Sequence, residues 1–287
     1  MGASRPGAVV APASIPAVTS APRTPAPRLL CSTVSVFGKP LHDAFPLIAD
    51  AGFAGVEVMV TKDPDTQDPR RLRELAEDHE LPVEAIHAPF LLMTRSVWGN
   101  DPVGKIYRAI ELAEEVGTPL VVVHPPYRWQ PAYRRWLDER LPLLSEETGV
   151  RVAVENMFPL RVRGRRVATF HARQAPEDLE GHPHVVLDTS HAAVAGLDLF
   201  ETVRRLGSRL AHVHLSNNAG KGWDSHLPLD EGVLPLEGFL DSLATEGFAG
   251  TISLELDLRT YLEDPAKLRR VLVHNRELCE SRLSLSV

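Results

Sequence analysis

The run His184-Val-Val-Leu-Asp-Thr-Ser-His191 is apolar through Leu187 and then ends in two metal-ligand side chains, Asp188 and His191. The same ending recurs along the chain. His87 closes Val83-Glu-Ala-Ile86, His124 closes Leu120-Val-Val-Val123, and Glu155 closes Arg151-Val-Ala-Val154. His214 closes Ala211-His-Val213, and Glu255 closes Thr251-Ile-Ser-Leu254. Short runs of Val, Ile and Leu with a polar group at the carboxyl end read as parallel strands buried on both faces. Six such runs that end in a ligand-type residue are most economically explained by one convergent site.

Strand-like runs begin near Leu29, Gly55, Val83, Leu120, Arg151, His184, Ala211 and Thr251. Helical apolar spacing covers His42–Asp50, Pro69–His79, Pro102–Val116, Ala132–Glu147, Leu197–Leu206, Leu236–Thr245 and Pro265–Ser281. Between the fifth and sixth strands only Ala175–Glu180 offers a short helix. Gly52, Gly117, Gly149 and Gly247 stand where helices should stop. Eight alternating units predict an α/β fold, a (β/α)8 TIM barrel. An open doubly wound sheet is the runner-up, but Val36-Phe-Gly38 after the first strand lacks the spacing of a nucleotide-binding glycine fingerprint. In a barrel all strand carboxyl ends face one rim, where the six ligand-type residues would meet.

The chain has 287 residues, 44% of them hydrophobic and 24% charged, which suits one large globular domain. Residues 1–28 are Ala/Pro-rich with no acidic residue and no signal-peptide core, and are expected to be a disordered tail ahead of a barrel over residues 29–287. The tail holds three of the 31 basic residues, so the body carries 28 basic against 38 acidic side chains, a net of −10. That charge argues against nucleic acid as partner. Cys31 and Cys279 show no metal-finger spacing, and a reducing cytoplasm is the expected compartment. No apolar stretch is long enough to span a membrane. Oligomeric state is left open, a homo-oligomer included.

His191 lies one short turn beyond Asp188, and Asp224-Ser-His226 follows the seventh strand, bringing the candidate ligands to His87, His124, Glu155, Asp188, His191, His214, Asp224, His226 and Glu255. Mixed imidazole and carboxylate donors suit Zn, Mn, Fe or Co, and one ion cannot use nine ligands. For the substrate, Arg161-Val-Arg-Gly-Arg-Arg166 makes Arg163 and Arg165 a candidate anion clamp, against the plainer reading of a solvated hairpin tip. Trp98, Trp129 and Trp223 fall in rim loops and are candidates to stack on a ring of the substrate. Glu57 is expected inside the barrel and within reach of substrate, whereas His212 reads as a core polar group. Lys221 and Arg259 are further rim candidates.

On these motifs the chain resembles the xylose isomerase-like TIM-barrel superfamily, which holds sugar isomerases and epimerases together with endonuclease IV. The resemblance covers about Leu29 to Leu283 and is carried by Gly52-Phe-Ala-Gly-Val-Glu57, His87-Ala-Pro-Phe90, His124-Pro125, Val154-Glu-Asn156, Asp188-Thr-Ser-His-Ala192, His212-Val-His-Leu215, Asp224-Ser-His226 with Glu231-Gly232, and Leu254-Glu255. His87–Leu92 and Asp188–Leu199 are especially similar to endonuclease IV. By resemblance, His87, His124 and Glu155 would hold one ion, Glu155, Asp188, His214 and Glu255 a second, and His191, Asp224 and His226 a third. The isomerases usually use only the second group.

Two activities follow from that resemblance. One is a divalent-metal-dependent sugar or sugar phosphate isomerase or epimerase acting through an enediolate, with Glu155 and Glu255 on opposite sides of the barrel mouth as acid and base. Its partner is a small carbohydrate, anionic if the arginine loop is a clamp. The other is an endonuclease IV-like multi-zinc phosphodiesterase. The acidic body, the loop Val58-Met-Val-Thr-Lys-Asp-Pro64 and an unlike first strand favour the isomerase. A barrel without turnover, serving as a scaffold, is a third reading, opposed by the intact Glu155 and Glu255.

Overall fold

The computed structural model describes residues 27–90, 94, 96–162 and 165–283, without side chains for residues 161, 162 and 165–167. The eight barrel strands are β1 (Arg28–Ser32), β2 (Val56–Met59), β3 (Val83–His87), β4 (Leu120–Val123), β5 (Arg151–Glu155), β8 (Val185–Asp188), β9 (Leu210–Leu215) and β10 (Thr251–Leu254). They form a closed ring in that order, and every pairing is parallel. The last ladder, Arg28↔Thr251 to Cys31↔Leu254, closes it. The chain is therefore a (β/α)8 barrel.

Around the barrel run α1 (Leu41–Asp50), α2 (Pro69–Asp78), α3 (Pro102–Val116), α4 (Pro131–Glu139), α5 (Leu141–Thr148), α6 (Thr189–Ala195), α7 (Leu199–Leu206), α8 (Leu236–Thr245) and α9 (Pro265–Leu283). The left-handed Gly117 (φ 85°) and Gly149 (φ 74°) end α3 and α5 as expected, a conformation that costs other residues. No helix among the described residues is long and apolar enough to cross a membrane.

The period of two along each strand sorts side chains between two cores. Val121, Val123, Val152, Val154, Val185, Leu187, Val213 and Ile252 join the large core between barrel and helices. Ala85, Leu120, Val122, Ala153 and Val186 form a separate small cluster inside the barrel. The same alternation puts Glu57, His87, Glu155, Asp188, His212 and His214 on the inner face, above that apolar floor.

Four elements differ from the sequence expectation. The single helix expected over 132–147 breaks at Arg140 into α4 and α5, because Pro142 lacks the N–H a continuous helix needs and suits a first turn instead. Asp188, by accepting from His191 N at 2.7 Å, caps a short helix α6 that apolar spacing did not reveal. Between β5 and β8 the chain makes an antiparallel hairpin, β6 (Leu160–Val162) with β7 (Arg165–Ala168), and then a 3-10 turn at Pro176–Leu179. Finally, Arg28, assigned to the tail, opens β1 and bonds Glu84 across to β3 at 2.5 Å. Residues 1–26 lie outside the described residues.

His182, in the turn before β8, is 2% exposed. Burial and the neighbouring Arg173 guanidinium push its pKa down to about 4 from an ordinary 6.5. The folded state thus resists a proton that the unfolded chain takes up, so stability is full above pH 6.5 and falls as pH drops toward 4. Between pH 7 and pH 5 His182→Gln should lose about 2 kcal/mol less stability than the wild type. Urea unfolding at the two pH values measures this; identical losses would exclude His182 as an acid-sensitive group.

Candidate metal centre at the carboxyl rim

The nine candidate ligands do meet. His214 Nδ1 lies 3.1 Å from Glu155 Oε1, 3.2 Å from Glu255 Oε2 and 3.9 Å from Asp188 Oδ2. On one side, Glu155 Oε2 is 2.9 Å from His124 Nε2 and 3.6 Å from His87 Nε2. On the other, His191 Nε2 and His226 Nε2 are 3.3 and 2.7 Å from Asp224 Oδ2. Donor atoms of His87, Glu155 and His214, of Asp188, His214 and Glu255, and of Asp188, His191 and His226 lie within 4.8 Å of one another in each trio.

The orientation of the imidazoles tests whether an ion fits. His87 Nδ1 faces Ala88 O at 2.9 Å, His191 Nδ1 faces Asn156 O at 2.9 Å, and His226 Nδ1 faces Glu255 O at 3.0 Å. A carbonyl only accepts, so each Nδ1 carries a proton, and each Nε2 is directed at carboxylate oxygens, from where it would bind an ion once its own proton is displaced. His214 is pinned the other way round, its Nε2 donating to Glu57 Oε1 at 3.0 Å. Metal-binding histidines are held in this manner by an outer acceptor. Glu155 Oε2, Asp188 Oδ2 and Glu255 Oε2 are buried without a hydrogen-bond partner. The approaches of Glu155 Oε2 to His124 and of Glu255 Oε2 to His214 are short but outside hydrogen-bond geometry. Unpaired buried carboxylate oxygens are costly, and a cation among them satisfies them. The donors therefore fit a divalent ion.

Electrostatics agree. Burial alone would raise the Glu155 carboxyl, yet the His214 and His124 imidazoles hold it well below the usual carboxylate range. Burial opposes charge on His214 and His191, but their carboxylate neighbours, Glu57 and Glu255 for one and Asp188 and Asp224 for the other, raise both well above an ordinary imidazole. Asp188 and Glu255 go up, chiefly through burial. Protonated imidazoles thus balance the carboxylates, and a cation would take the place of those protons.

Two supports were not assigned from sequence. Asn156 accepts from Asp188 N at 2.7 Å and donates to Asp188 O at 3.2 Å, clamping the ends of β5 and β8 together. Ser190 Oγ donates to Asp224 Oδ1 at 2.6 Å and accepts from Asn218 Nδ2 at 2.9 Å, which fixes the loop that carries Asp224. Asn156 stood within the motif Val154-Glu-Asn156, but an amide there has no ligand chemistry to draw attention.

Above the ligands opens a cavity of about 470 Å³, walled by Met59, Phe90, Tyr127, Met157, Phe158 and Leu256 among others. Of the six substrate candidates whose side chains are described, only Arg259 lines it, and that guanidinium is bound to Asp257 at 2.6 Å. Glu57 requires correction: it is fully buried beneath His214 and also faces His212 Nε2 at 3.1 Å, so it orients imidazoles and does not reach the cavity. His212 is the satisfied core group expected, its Nδ1 2.6 Å from Thr251 Oγ1. Trp98 packs on the core under Arg108 and away from the cavity. Trp223 is 54% exposed with Lys221 over its ring, outside the cavity wall, because the loop turns both outward. Trp129 lines an adjoining hollow. Arg163 lies outside the described residues, and Arg165 is placed only as backbone of β7. Glu155 and Glu255 close β5 and β10, three steps apart in a ring where four is the maximum, and both carboxylates approach His214 Nδ1.

A barrel with this rim defines a class, and comparison identifies it: the family model for the xylose isomerase-like TIM barrel matches residues 45–274, and the chain belongs to that family. Among relatives, an uncharacterized protein of Mycobacterium leprae (strain TN) is 38% identical over 243 residues, 78% of this chain and 87% of that protein. Among solved structures, a D-tagatose 3-epimerase-like protein superimposes with a TM-score of 0.65 at 23% identity, over 89% of this chain and 99% of its own. An AP endonuclease, family 2, from Brucella melitensis superimposes with a TM-score of 0.65 at 19% identity, over 83% and 96%. At these identities the two structures speak for the fold alone.

Glu57→Gln keeps the size of the side chain but weakens the acceptor that turns His214 Nδ1 toward the carboxylates. Affinity for Zn²⁺ or Mn²⁺, measured by competition with a chelating dye, should fall about 10–100-fold while the circular dichroism spectrum is retained. Unchanged affinity would remove Glu57 from the centre.

Proposed function

We propose that this protein is a divalent-metal-dependent isomerase or epimerase of a small carbohydrate. The observation that carries the reading is the pair Glu155 and Glu255, each within 3.2 Å of His214 Nδ1 and each with a buried oxygen lacking a hydrogen-bond partner, at the base of the cavity. Glu155, Asp188, His214 and Glu255 would hold the ion, and a divalent ion there supplies Lewis-acid polarisation of a substrate carbonyl. The carboxylates supply the rest. One accepts the proton from the carbon beside the carbonyl, giving an enediolate, and the other returns a proton to the opposite face or the neighbouring carbon.

A second reading, metal-dependent hydrolysis of a phosphoester, is favoured by one specific observation. His87 and His124 beside Glu155, and His191 and His226 beside Asp224, offer places for two further ions that a one-metal isomerase does not use. Against it stand the net charge of −10 outside residues 1–28 and the pairing with Asp257 of Arg259, the guanidinium that lines the cavity among the described residues.

The two are separated by incubating the metal-loaded protein with D-fructose, D-tagatose and D-allulose in deuterated water and following carbon-bound deuterium by NMR. Exchange is expected, and Glu155→Gln and Glu255→Gln should each slow it by about 10²–10⁴-fold. Loss of neither rate in the variants would refute the carboxylate pair. Efficient incision of abasic-site DNA, with three ions per chain by elemental analysis, would establish the hydrolase instead.

A further inference from the structure

The metal-site cavity is not the end of the cleft. A second hollow of about 560 Å³ shares with it the walls Phe90, His124, Tyr127, Met157, Phe158 and His171, and runs outward to Trp129 and Phe170. The outer hollow is aromatic. Tyr127 and Trp129 stack with ring centroids 4.8 Å apart and planes 3° from parallel, His171 lies 4.4 Å from Tyr127, and Phe170 meets Trp129 edge-on at 6.1 Å.

This shelf is built in advance. Tyr127 and His171 form an antiparallel bridge between the loops after β4 and β7. Arg128 N donates to Phe170 O, and Ala172 N to Pro126 O, both at 2.8 Å. The Gln130 side chain accepts from Tyr127 N at 2.9 Å. Yet Trp129 is 63% exposed and Phe170 42% exposed, so a rigid aromatic stack is held with its outer surface in water. Exposed aromatic surface continuous with a binding cavity marks a recognition site.

The polar groups in the wall define the occupant. The Lys105 ammonium, 4% exposed, donates to Pro89 O at 2.8 Å and Thr94 O at 3.3 Å, so it is held by the backbone. His171 Nδ1 faces Pro125 O at 3.0 Å and so carries the proton, leaving Nε2 as an acceptor for a hydroxyl. Aromatic faces with a neutral acceptor suit an uncharged ring that has an apolar face and hydroxyl edges.

We propose that the substrate is a two-ring carbohydrate, a glycoside, whose reacting ring sits over Glu155, His214 and Glu255 while its second ring stacks on the Tyr127–Trp129 shelf. This rests on the carbohydrate reading of the metal centre. The second ring is a sugar or an aryl group, since both present an apolar face, and the shelf sets specificity for substrates larger than a monosaccharide.

Isothermal titration of the metal-loaded protein with D-fructose, lactulose, isomaltulose and phenyl β-D-glucopyranoside tests it. At least one two-ring probe should bind about tenfold more tightly than D-fructose, the scale of one aromatic stacking contact. A disaccharide that leads identifies a sugar as the second ring, and the phenyl glucoside an aryl group. Trp129→Ala should erase the advantage while D-fructose affinity stays within about twofold, a change small on the scale of tenfold per 1.4 kcal/mol. Equal binding of all four probes, or an advantage that survives both Trp129→Ala and Tyr127→Ala, would overturn the proposal. So would an oligomer that Trp129→Ala dissociates without altering probe binding, which would make the shelf a subunit contact. The titration is repeated in Glu155→Gln. A retained two-ring advantage there, with no deuterium exchange by the wild type, would sink the isomerase reading and leave the shelf standing.

Discussion

The ladder between β1 and β10 is the constraint on which the rest depends. Pairing Arg28–Cys31 with Thr251–Leu254 turns an eight-stranded parallel sheet into a ring, and a ring of parallel strands has one carboxyl rim. Residues far apart in sequence, His87, Glu155 and Glu255 among them, are thereby delivered within a few ångströms of His214. The period of two along each strand does the finer work. Val154 and Leu187 go outward to the helices, and Glu155 and Asp188 go inward beside them.

Bringing five imidazoles and four carboxylates into one mouth is expensive unless each is oriented and neutralised. Orientation comes from acceptors outside the cluster: Ala88 O, Asn156 O, Glu255 O and the Glu57 carboxylate fix which nitrogen of each of four histidines is free. Neutralisation is incomplete, as the three unpaired carboxylate oxygens of Glu155, Asp188 and Glu255 show. Both features are those of a site that is finished by a cation. Family membership agrees with this arrangement, and in the proposed reaction Glu155 and Glu255 divide the proton between them.

The ground beyond the ligands bears on substrate. Among the described residues lining the two hollows, Arg259 is engaged by Asp257 and Lys105 by backbone carbonyls, whereas Trp129, stacked on Tyr127, is exposed to water. A neutral, ring-shaped ligand matches that distribution better than an anion or a nucleic acid backbone.

The barrel was legible in the chain because short Val- and Ile-rich runs between amphipathic helices have few other ways to bury both faces, and the ligands were legible because each sits at the polar end of such a run. Local sequence was less informative where a cap or a proline rules. Pro142 splits a helix that apolar spacing read as continuous, and the Asp188 cap starts α6. What only the tertiary structure decided is which way side chains turn once the ring has closed. Glu57 lies under His214 as its orienting partner, Trp98 and Trp223 face away from the cavity, and Glu155 and Glu255 flank one imidazole. Spacing along a strand determines the face a residue occupies. Its neighbours across the barrel depend on ring order and register, which belong to strand pairs and cannot be read from any one strand.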